Sequence, residues 1–384
     1  MNMKEHYDVI LVGAGLFNAV LAARLIKYRK NVLVIEKRNH IGGNCYTENK
    51  DNIDIHKYGS HIFHTSNKTV WDFVNQFAEF NTFQLNTMAN VDGTIYNLPF
   101  NMNTFAKVFN VATPEEAREA IEKDKMKEKM CIPSNLEEQA ISMVGRTIFE
   151  KFIKGYTEKQ WEKDCKELPA DIIKRIPLRF TYNNNYFNDI YQGIPKDGYT
   201  AMIGRMFTVT NGNYKCDFLY NEDFLANKEK WESMADKIYY SGCIDEYYDY
   251  CFGELEYRGL KFETRRLETE NYQGCPVMNY TTHAKPYTRI IEHKWFNPEN
   301  KSDVTYVTEE YPSTWKRGDI PYYPVNTSRN QELYQRYKDI PNKKVVFTGR
   351  LGMYKYNDMD DTVEIALNIP ISVHGRIYMD GLKC

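Results

Sequence analysis

The stretch from Tyr7 to Asn44 limits what this chain can fold into more than any other. It opens with the apolar run Val9-Ile10-Leu11-Val12, turns through Gly13-Ala14-Gly15 and continues into Leu16-Phe17-Asn18-Ala19-Val20-Leu21-Ala22-Ala23, the pattern of strand, tight turn and helix. A first glycine permits the sharp bend, and a second lets backbone approach a pyrophosphate with no side chain between. The helix start then presents free N–H groups to the anion. The next strand, Val32-Leu33-Val34-Ile35, ends in Glu36, about twenty residues past the turn, where such units set a carboxylate against an adenosine ribose. Asn18 stands where a third glycine belongs, but that position serves helix-to-strand packing and not phosphate contact, so the dinucleotide-binding reading holds. A second glycine turn, Ile41-Gly42-Gly43-Asn44, follows Lys37 and Arg38. Two glycine turns bracketing the adenosine strand favour FAD over NAD.

At 384 residues the chain exceeds one ordinary core and predicts two or three structural units. Its 50 basic and 52 acidic residues are well mixed, so nothing draws it to nucleic acid independently of sequence. No run approaches the roughly 18 apolar residues of a membrane helix, and the N-terminus lacks the apolar region of a signal peptide. A cytoplasmic protein with small-molecule partners, and neither a membrane nor a nucleic acid among them, is expected. The eight cysteines lie scattered without CxxC or zinc spacing and read as reduced thiols. Thirty tyrosines, many beside asparagine or arginine, suit a cleft for a polar ring-containing ligand, although core and interface use accounts for most of them.

His56, His61 and His64 fall close together, but the carboxylate and cysteine partners that complete a metal site are missing nearby, and no metal is expected. A helix from about Asn67 puts Val70, Phe73, Val74 and Phe77 on one face, and Asp92-Gly93 between apolar pairs predicts a hairpin turn. Thr113-Pro114-Glu115-Glu116 is a capping box with a first-turn proline, and it opens a charged helix, Glu115 to Lys129, expected to lie solvated on the surface. Ser134-Asn135-Leu136-Glu137 predicts a second box, followed by one helical stripe through Leu136, Ala140, Met143, Val144, Ile148 and Phe152. Lys237 to Gly242 reads as a strand returning to the nucleotide domain. Segments between Tyr247 and Val307 predict a separate antiparallel sheet, and Val345 to Arg350 a last buried strand with a helix starting near Asp358. The expected class is α/β. A discontinuous Rossmann-like FAD-binding domain (residues 1–84, 198–245 and 326–384) is interleaved with a helical domain (100–175) and an antiparallel β-sheet substrate domain (85–99, 176–197 and 246–325).

Motifs in order along residues 7 to 359 resemble one family, the bacterial UDP-galactopyranose mutases. They are GAGLFNAV at Gly13, VLVIEKRNHIGGN at Val32, HKYGSHIFHT at His56, NLPFNMNTF at Asn97, NLEEQAIS at Asn135, KGYTEKQW at Lys154, KELPADIIKRIP at Lys166, NNYF at Asn184, YTRIIEHK at Tyr287, YYPV at Tyr322 and GRLGMYKYNDM at Gly349. The resemblance implies FAD that is active when reduced, supplied with electrons by NAD(P)H or another reductant, in a homodimer. It implies isomerisation of UDP-galactopyranose to UDP-galactofuranose through a covalent flavin–sugar adduct, with no net redox change. The nucleophile then belongs to the cofactor, and the protein binds, orients and stabilises charge.

Carried over by motif, Arg175 and Arg289 match the arginines that hold the diphosphate, where a planar guanidinium engages two oxygens at once. Tyr186, Tyr323 and Tyr356 match phosphate- and sugar-side tyrosines. Phe152, Tyr156, Thr157 and Trp161 match the uridine pocket, with Trp161 on a loop expected to close over substrate. His61 and His64 match the segment beside the flavin, and His61 is expected to tune it. Gly13, Gly15, Leu16, Phe17, Glu36, Lys37, Gly43, Asn44, Arg350, Asp358 and Met359 are the remaining expected FAD contacts, Asp358 being equally readable as a helix cap. Arg175, Arg289, His61 and Tyr356 are the expected catalytic set. The sequence departs from the family at Asn18, at Ser60, where alanine is usual, at Lys196-Asp197-Gly198, and in the tail after about Leu367, where Pro370 should stop a helix. Ser60 beside His61 bears on sugar tolerance, for instance toward UDP-N-acetylgalactosamine. Two other readings share the nucleotide domain: an FAD-dependent oxidoreductase of the amine-oxidase type, and a nucleotide-sugar-binding protein without catalysis.

Overall fold

Strand β1 (Tyr7–Val12) lies at the centre of a five-stranded, fully parallel sheet in the computed structural model, which describes residues 3–127, 132–173, 176–373 and 376–381. On one side of it stand β2 (Val32–Glu36) and Cys216–Tyr220, and on the other Ala235–Tyr240 and Val345–Phe347. Parallel strands need crossovers that cover both faces of the sheet. Accordingly β2 is buried at every position, and helix α1 (Leu16–Lys27) is buried from Leu16 through Ile26. Asn18 is part of that burial. Its Nδ2 donates to the carbonyls of Val12 (2.9 Å) and Gly13 (2.8 Å), so a polar clasp does here what a third glycine does by close packing.

The second sheet has seven strands in the order Tyr323–Pro324, Tyr257–Leu267, Thr305–Thr314, Arg289–Glu292, Val277–Tyr280, Thr87–Val91 and Thr94–Leu98. It is mixed, where an antiparallel sheet was expected. Thr87–Val91 runs parallel to Val277–Tyr280, with Thr87 opposite Val277. These strands are separated by the whole helical segment, so no hairpin dictates their direction. The expected Asp92-Gly93 turn does join Thr87–Val91 to Thr94–Leu98, both residues taking positive φ as a two-residue hairpin turn requires.

In the helical segment the Thr113 box forms as read, with Thr113 capping Pro114–Lys125 and Glu116 reaching back. That helix is not only a solvated face, because Ala117, Ile121 and Asp124 are buried, and the part of its expected span beyond residue 127 reaches outside the described residues. The second box is shifted by one residue. Asn135, not Ser134, is the cap and accepts from the N–H of Glu138, while the Glu138 carboxylate takes the N–H of Ser134. The expected continuous stripe breaks at Gly145, whose φ of +82° ends Leu136–Val144. A Cβ there would sit 2.6 Å from the carboxylate of Asp124, which instead receives the N–H of Thr147 (2.7 Å) and starts the next helical stretch. A wide π-type turn, Phe149–Ile153, then feeds the helix Lys154–Trp161.

The atypical tail is a structural part of the nucleotide-binding unit. Helix Met359–Leu367 ends before Pro370, and a small hairpin, Ile371–Val373 with Arg376–Tyr378, follows. Buried Arg24 of α1 ties the tail down, donating through Nε to Asp380 (2.6 Å) and through Nη1 to the carbonyls of Ala366 (2.6 Å) and Ile369 (2.8 Å). Arg24→Met leaves that carboxylate and those carbonyls without their donor and should cost about 3 kcal/mol of unfolding free energy. Urea denaturation reads this directly, and an unchanged midpoint would mean that the tail contributes nothing to stability.

Candidate active site

The first glycine turn is built for close backbone approach. Gly13 has φ +93°, and a Cβ on it would meet Ser241 Oγ at 2.3 Å. The second turn folds onto the first, since Gly42 N donates to Ala14 O (2.8 Å) and a Cβ on Gly43 would lie 3.1 Å from Gly15 Cα. Between the turns and the start of α1 runs a cavity of about 490 Å³. Gly13, Gly15, Leu16, Phe17, Glu36, Lys37, Gly43, Asn44, His61, Arg350 and Met359 all line it. Glu36 sits at the end of β2 as expected, and its two oxygens accept main-chain N–H groups from Ala14 (2.6 Å) and Arg38 (2.8 Å), each keeping a further lone pair. The ammonium of Lys37 turns to Asp223 at 2.9 Å.

A second cavity, about 400 Å³, opens against the first, and Asn44, His61, Tyr322, Arg350 and Met359 line both. Into it the structure brings Tyr156, Tyr186, Arg289, Tyr323, Tyr356, Asp358 and His64, drawn from six separate stretches of chain. Arg289 begins the strand Arg289–Glu292, and its Nε donates to Glu310 Oε1 at 2.8 Å. Burial works against the charged guanidinium, but Glu310 more than compensates and holds the Arg289 pKa well above its usual range. Arg350 lies 4.6 Å from the centre of the Tyr356 ring, and Tyr323 and Tyr356 face one another at 5.5 Å. Burial pushes the phenols of Tyr156, Tyr323 and Tyr356 up, against the opposing pull of neighbouring arginines. All three therefore remain O–H donors at neutral pH. Fixed guanidinium charge surrounded by neutral donors suits a diphosphate.

His61 occupies the junction of the two cavities. Its Nδ1 lies 2.8 Å from Gly59 O, which can only accept, so the neutral ring donates there and keeps Nε2 as an acceptor. Burial, and then Arg350, pulls the His61 pKa down to about 4. Burial likewise pulls His56 well below its usual value, and burial and then Lys57 pulls His293 down to about 3. Each folded-state value lies below the unfolded value near 6.5, so protons bind preferentially to the unfolded chain between the two. Stability should be full above about pH 6.5 and fall steadily as pH drops toward 4. Denaturation midpoints across that window check this, and a flat profile would contradict it.

Three expected residues line neither cavity. Phe152 is in the helical core, edge-on to Tyr96 at 5.0 Å and tilted on Phe100 at 5.4 Å. Buried Thr157 and the partly buried Trp161 stand on the helix Lys154–Trp161 with Tyr156 but line neither cavity, and Trp161 ends that helix where a loop was expected. Arg175 lies outside the described residues. Asp358 does precede helix Met359–Leu367 as its cap residue while also lining the second cavity. Sequence reading missed Glu310, although its neighbour Glu309 pairs outward with Arg265 and strand alternation turns position 310 inward. It also missed Asp189, whose carboxylate meets His64 Nδ1 at 2.8 Å, and Phe187, stacked 3.7 Å from the His64 ring. Arg38 was passed over as mere flank. It donates to Asn44 Oδ1 (3.1 Å), lies over Tyr58 and lines the first cavity. Among the described residues no group of three His, Cys, Asp or Glu side chains has the arrangement to hold a metal, and no helix is long and apolar enough to cross a membrane.

A parallel sheet with a glycine cradle, set against a chamber walled by a second, mixed sheet, defines a protein with a Rossmann-type dinucleotide-binding domain and a second chamber beside it. The family model for UDP-galactopyranose mutase matches residues 151–356, and that for an NAD(P)-binding Rossmann-like domain matches residues 11–77. The chain belongs to the UDP-galactopyranose mutase family of isomerases. It is 40% identical to a probable UDP-galactopyranose mutase of Klebsiella pneumoniae over 94% of this chain and 93% of that one. It is 39% identical to a dTDP-fucopyranose mutase of Escherichia coli over 94% and 96%, and 31% identical to a UDP-galactopyranose mutase of Mycoplasma pneumoniae over 94% of each. In fold it matches a reduced UDP-galactopyranose mutase with a TM-score of 0.68, covering 94% of both chains at 13% identity. A putative protoporphyrinogen oxidase from Exiguobacterium sp. 255-15 matches at 0.58, covering 95% of this chain and 98% of that one at 12% identity, so the fold alone does not separate mutase from oxidoreductase.

Proposed function

We propose that this protein converts UDP-galactopyranose to UDP-galactofuranose on a non-covalently held, reduced FAD, through a covalent flavin–sugar adduct and without net redox change. The observation that carries the reading is the continuity of the two cavities at His61 and Arg350. A dinucleotide in the glycine cradle would extend its far end toward a chamber whose charged groups suit a diphosphate. The residues present fit such a cofactor. Two glycine turns with positive φ leave backbone open beside the N-terminus of α1, Glu36 keeps free lone pairs, and Arg38 Nη1 is buried at the cavity wall without a hydrogen-bond partner among the described residues. When bound and reduced, FAD supplies the nucleophile for the anomeric carbon. Arg289 and Arg175 hold the diphosphate and stabilise charge on the departing nucleotide. Tyr186, Tyr323 and Tyr356 orient phosphate and sugar through O–H donors, with Tyr156, Phe152, Thr157 and Trp161 on the nucleoside side. His61 offers the flavin edge an acceptor in place of an acid.

The same reading assigns residues 1–84, 198–245 and 326–384 to the FAD-binding domain, 100–175 to the helical domain and the remainder of 85–325 to the substrate domain. It places a homodimer in the cytoplasm with NAD(P)H or another reductant feeding the flavin. A second reading of the sugar is favoured by the apolar side chains Ile62, Leu85 and Val277 in the chamber wall, since a methyl group fits such a wall better than a hydroxymethyl. That reading takes a dTDP-linked 6-deoxyhexose, such as the dTDP-fucopyranose in the name of the Escherichia coli relative. Ser60 in the same wall bears on an N-acetylated substrate. Chromatography of UDP-galactose, UDP-N-acetylgalactosamine and dTDP-fucose after incubation with dithionite-reduced protein decides among them. Stoichiometric consumption of an electron acceptor would point instead to an oxidoreductase.

A further inference from the structure

The helix Lys154–Trp161 lies against the loop that joins strand Val277–Tyr280 to strand Arg289–Glu292. The approach is close enough that a Cβ on Gly155 would sit 2.6 Å from Thr281 O. Thr281 Oγ1 donates to Lys151 O at 2.7 Å, and exposed His283 meets Glu158 at 2.8 Å. At the centre of this contact the Lys159 ammonium donates to three carbonyls, those of Tyr280 (2.7 Å), Lys285 (3.1 Å) and Tyr287 (2.8 Å). Its three N–H bonds are thus matched one to one with carbonyls at both ends of a single loop, and no carboxylate is needed. The loop is held closed by that tripod, and the residue two beyond its last gripped carbonyl is Arg289. Three residues before Lys159, on the same helix, Tyr156 lines the chamber that Arg289 enters.

We propose that Lys159 is a positioning residue: it fixes the helix bearing Tyr156 against the loop leading into Arg289 and so sets the geometry in which the chamber grips a nucleoside diphosphate. The inference rests on the mutase reading for its ligand, but not on turnover. A partly buried ammonium held by neutral carbonyls is a costly arrangement, and burial pulls the Lys159 pKa down to about 8, with no carboxylate among the described residues near enough to offset it. A surface lysine serving only solubility would project outward. The same end of the helix is also held from the strand Tyr257–Leu267, Arg258 donating to Gln160 O at 2.8 Å. Loss of Lys159 therefore frees the loop without releasing the whole helix.

The test is titration of UDP into the flavin-loaded protein, paired with steady-state kinetics on UDP-galactopyranose. Lys159→Met should weaken UDP binding and raise KM by about tenfold or more, with kcat within about threefold of wild type and flavin content unchanged. Lys159→Arg, which keeps several N–H donors at a similar reach, should recover a large part of the loss. Gly155→Ala, which wedges the same contact apart without touching the lysine, should reproduce the KM-selective defect. Native UDP affinity in Lys159→Met, even with a lowered melting temperature, overturns the proposal, as does a defect confined to kcat. If Lys159→Met does not fold, native UDP affinity in Gly155→Ala overturns it. Should the wild type bind UDP yet rearrange no sugar, the mutase reading fails while the titrations still decide the role of Lys159.

Discussion

Arg289→Ala should lower kcat/KM for the nucleotide sugar by about a thousandfold or more, the loss expected when a charged donor aimed at developing phosphate charge is removed from an enclosed site. The size comes from what is left behind. Glu310 is fully buried, its Oε1 is held by Arg289 and its Oε2 has no hydrogen-bond partner among the described residues. Without the guanidinium, a carboxylate would stand beside the chamber that must accept a diphosphate, reversing the local sign of charge. Arg289→Lys keeps the charge but not the planar fork that serves Glu310 and phosphate together, so it should recover only part of the activity. Initial rates at limiting and saturating substrate read both variants, and native values in the alanine variant would remove Arg289 from the reaction.

Gly13→Val should yield protein with less than about a tenth of the normal flavin, because a β-branched side chain is strained at this φ and must fill the backbone approach to the pyrophosphate. The Cβ alone would collide with Ser241 Oγ, which holds the carbonyl of Val12 at 2.7 Å and so joins the end of β1 to the neighbouring strand. Absorbance of the purified variant near the flavin bands, normalised to protein, gives the result. A fully yellow Gly13→Val would show that the first turn is not where the cofactor lies.

The parts of this fold legible in the sequence are those fixed over a few residues. The β1–α1–β2 unit, the Asp92-Gly93 hairpin and the Thr113 box each depend on local backbone chemistry, and each forms as read. The Ser134 box slipped by one residue because Asn135 is also a strong cap, and only the position of the following helix decides between them. The break at Gly145 is set by Asp124, twenty-one positions away, and hydrophobic spacing carries no trace of it. The parallel pairing of Thr87–Val91 with Val277–Tyr280 is likewise a long-range choice that neither strand encodes alone. At the site, motif likeness found many of the side chains that face the cavities, though not Arg38, while the groups that hold them, Glu310 behind Arg289 and Asp189 behind His64, appear only when distant strands and loops meet.

On the proposed reading, electrons on a bound flavin, and no side chain, supply the nucleophile. Purified protein should show the absorbance of an isoalloxazine, and it should be incubated with UDP-galactopyranose in two portions, one oxidised and one reduced anaerobically with dithionite. Chromatography should find furanose only in the reduced portion, formed through many turnovers without further consumption of reductant. Equal conversion in the oxidised portion, or conversion by protein carrying no flavin, would contradict the account.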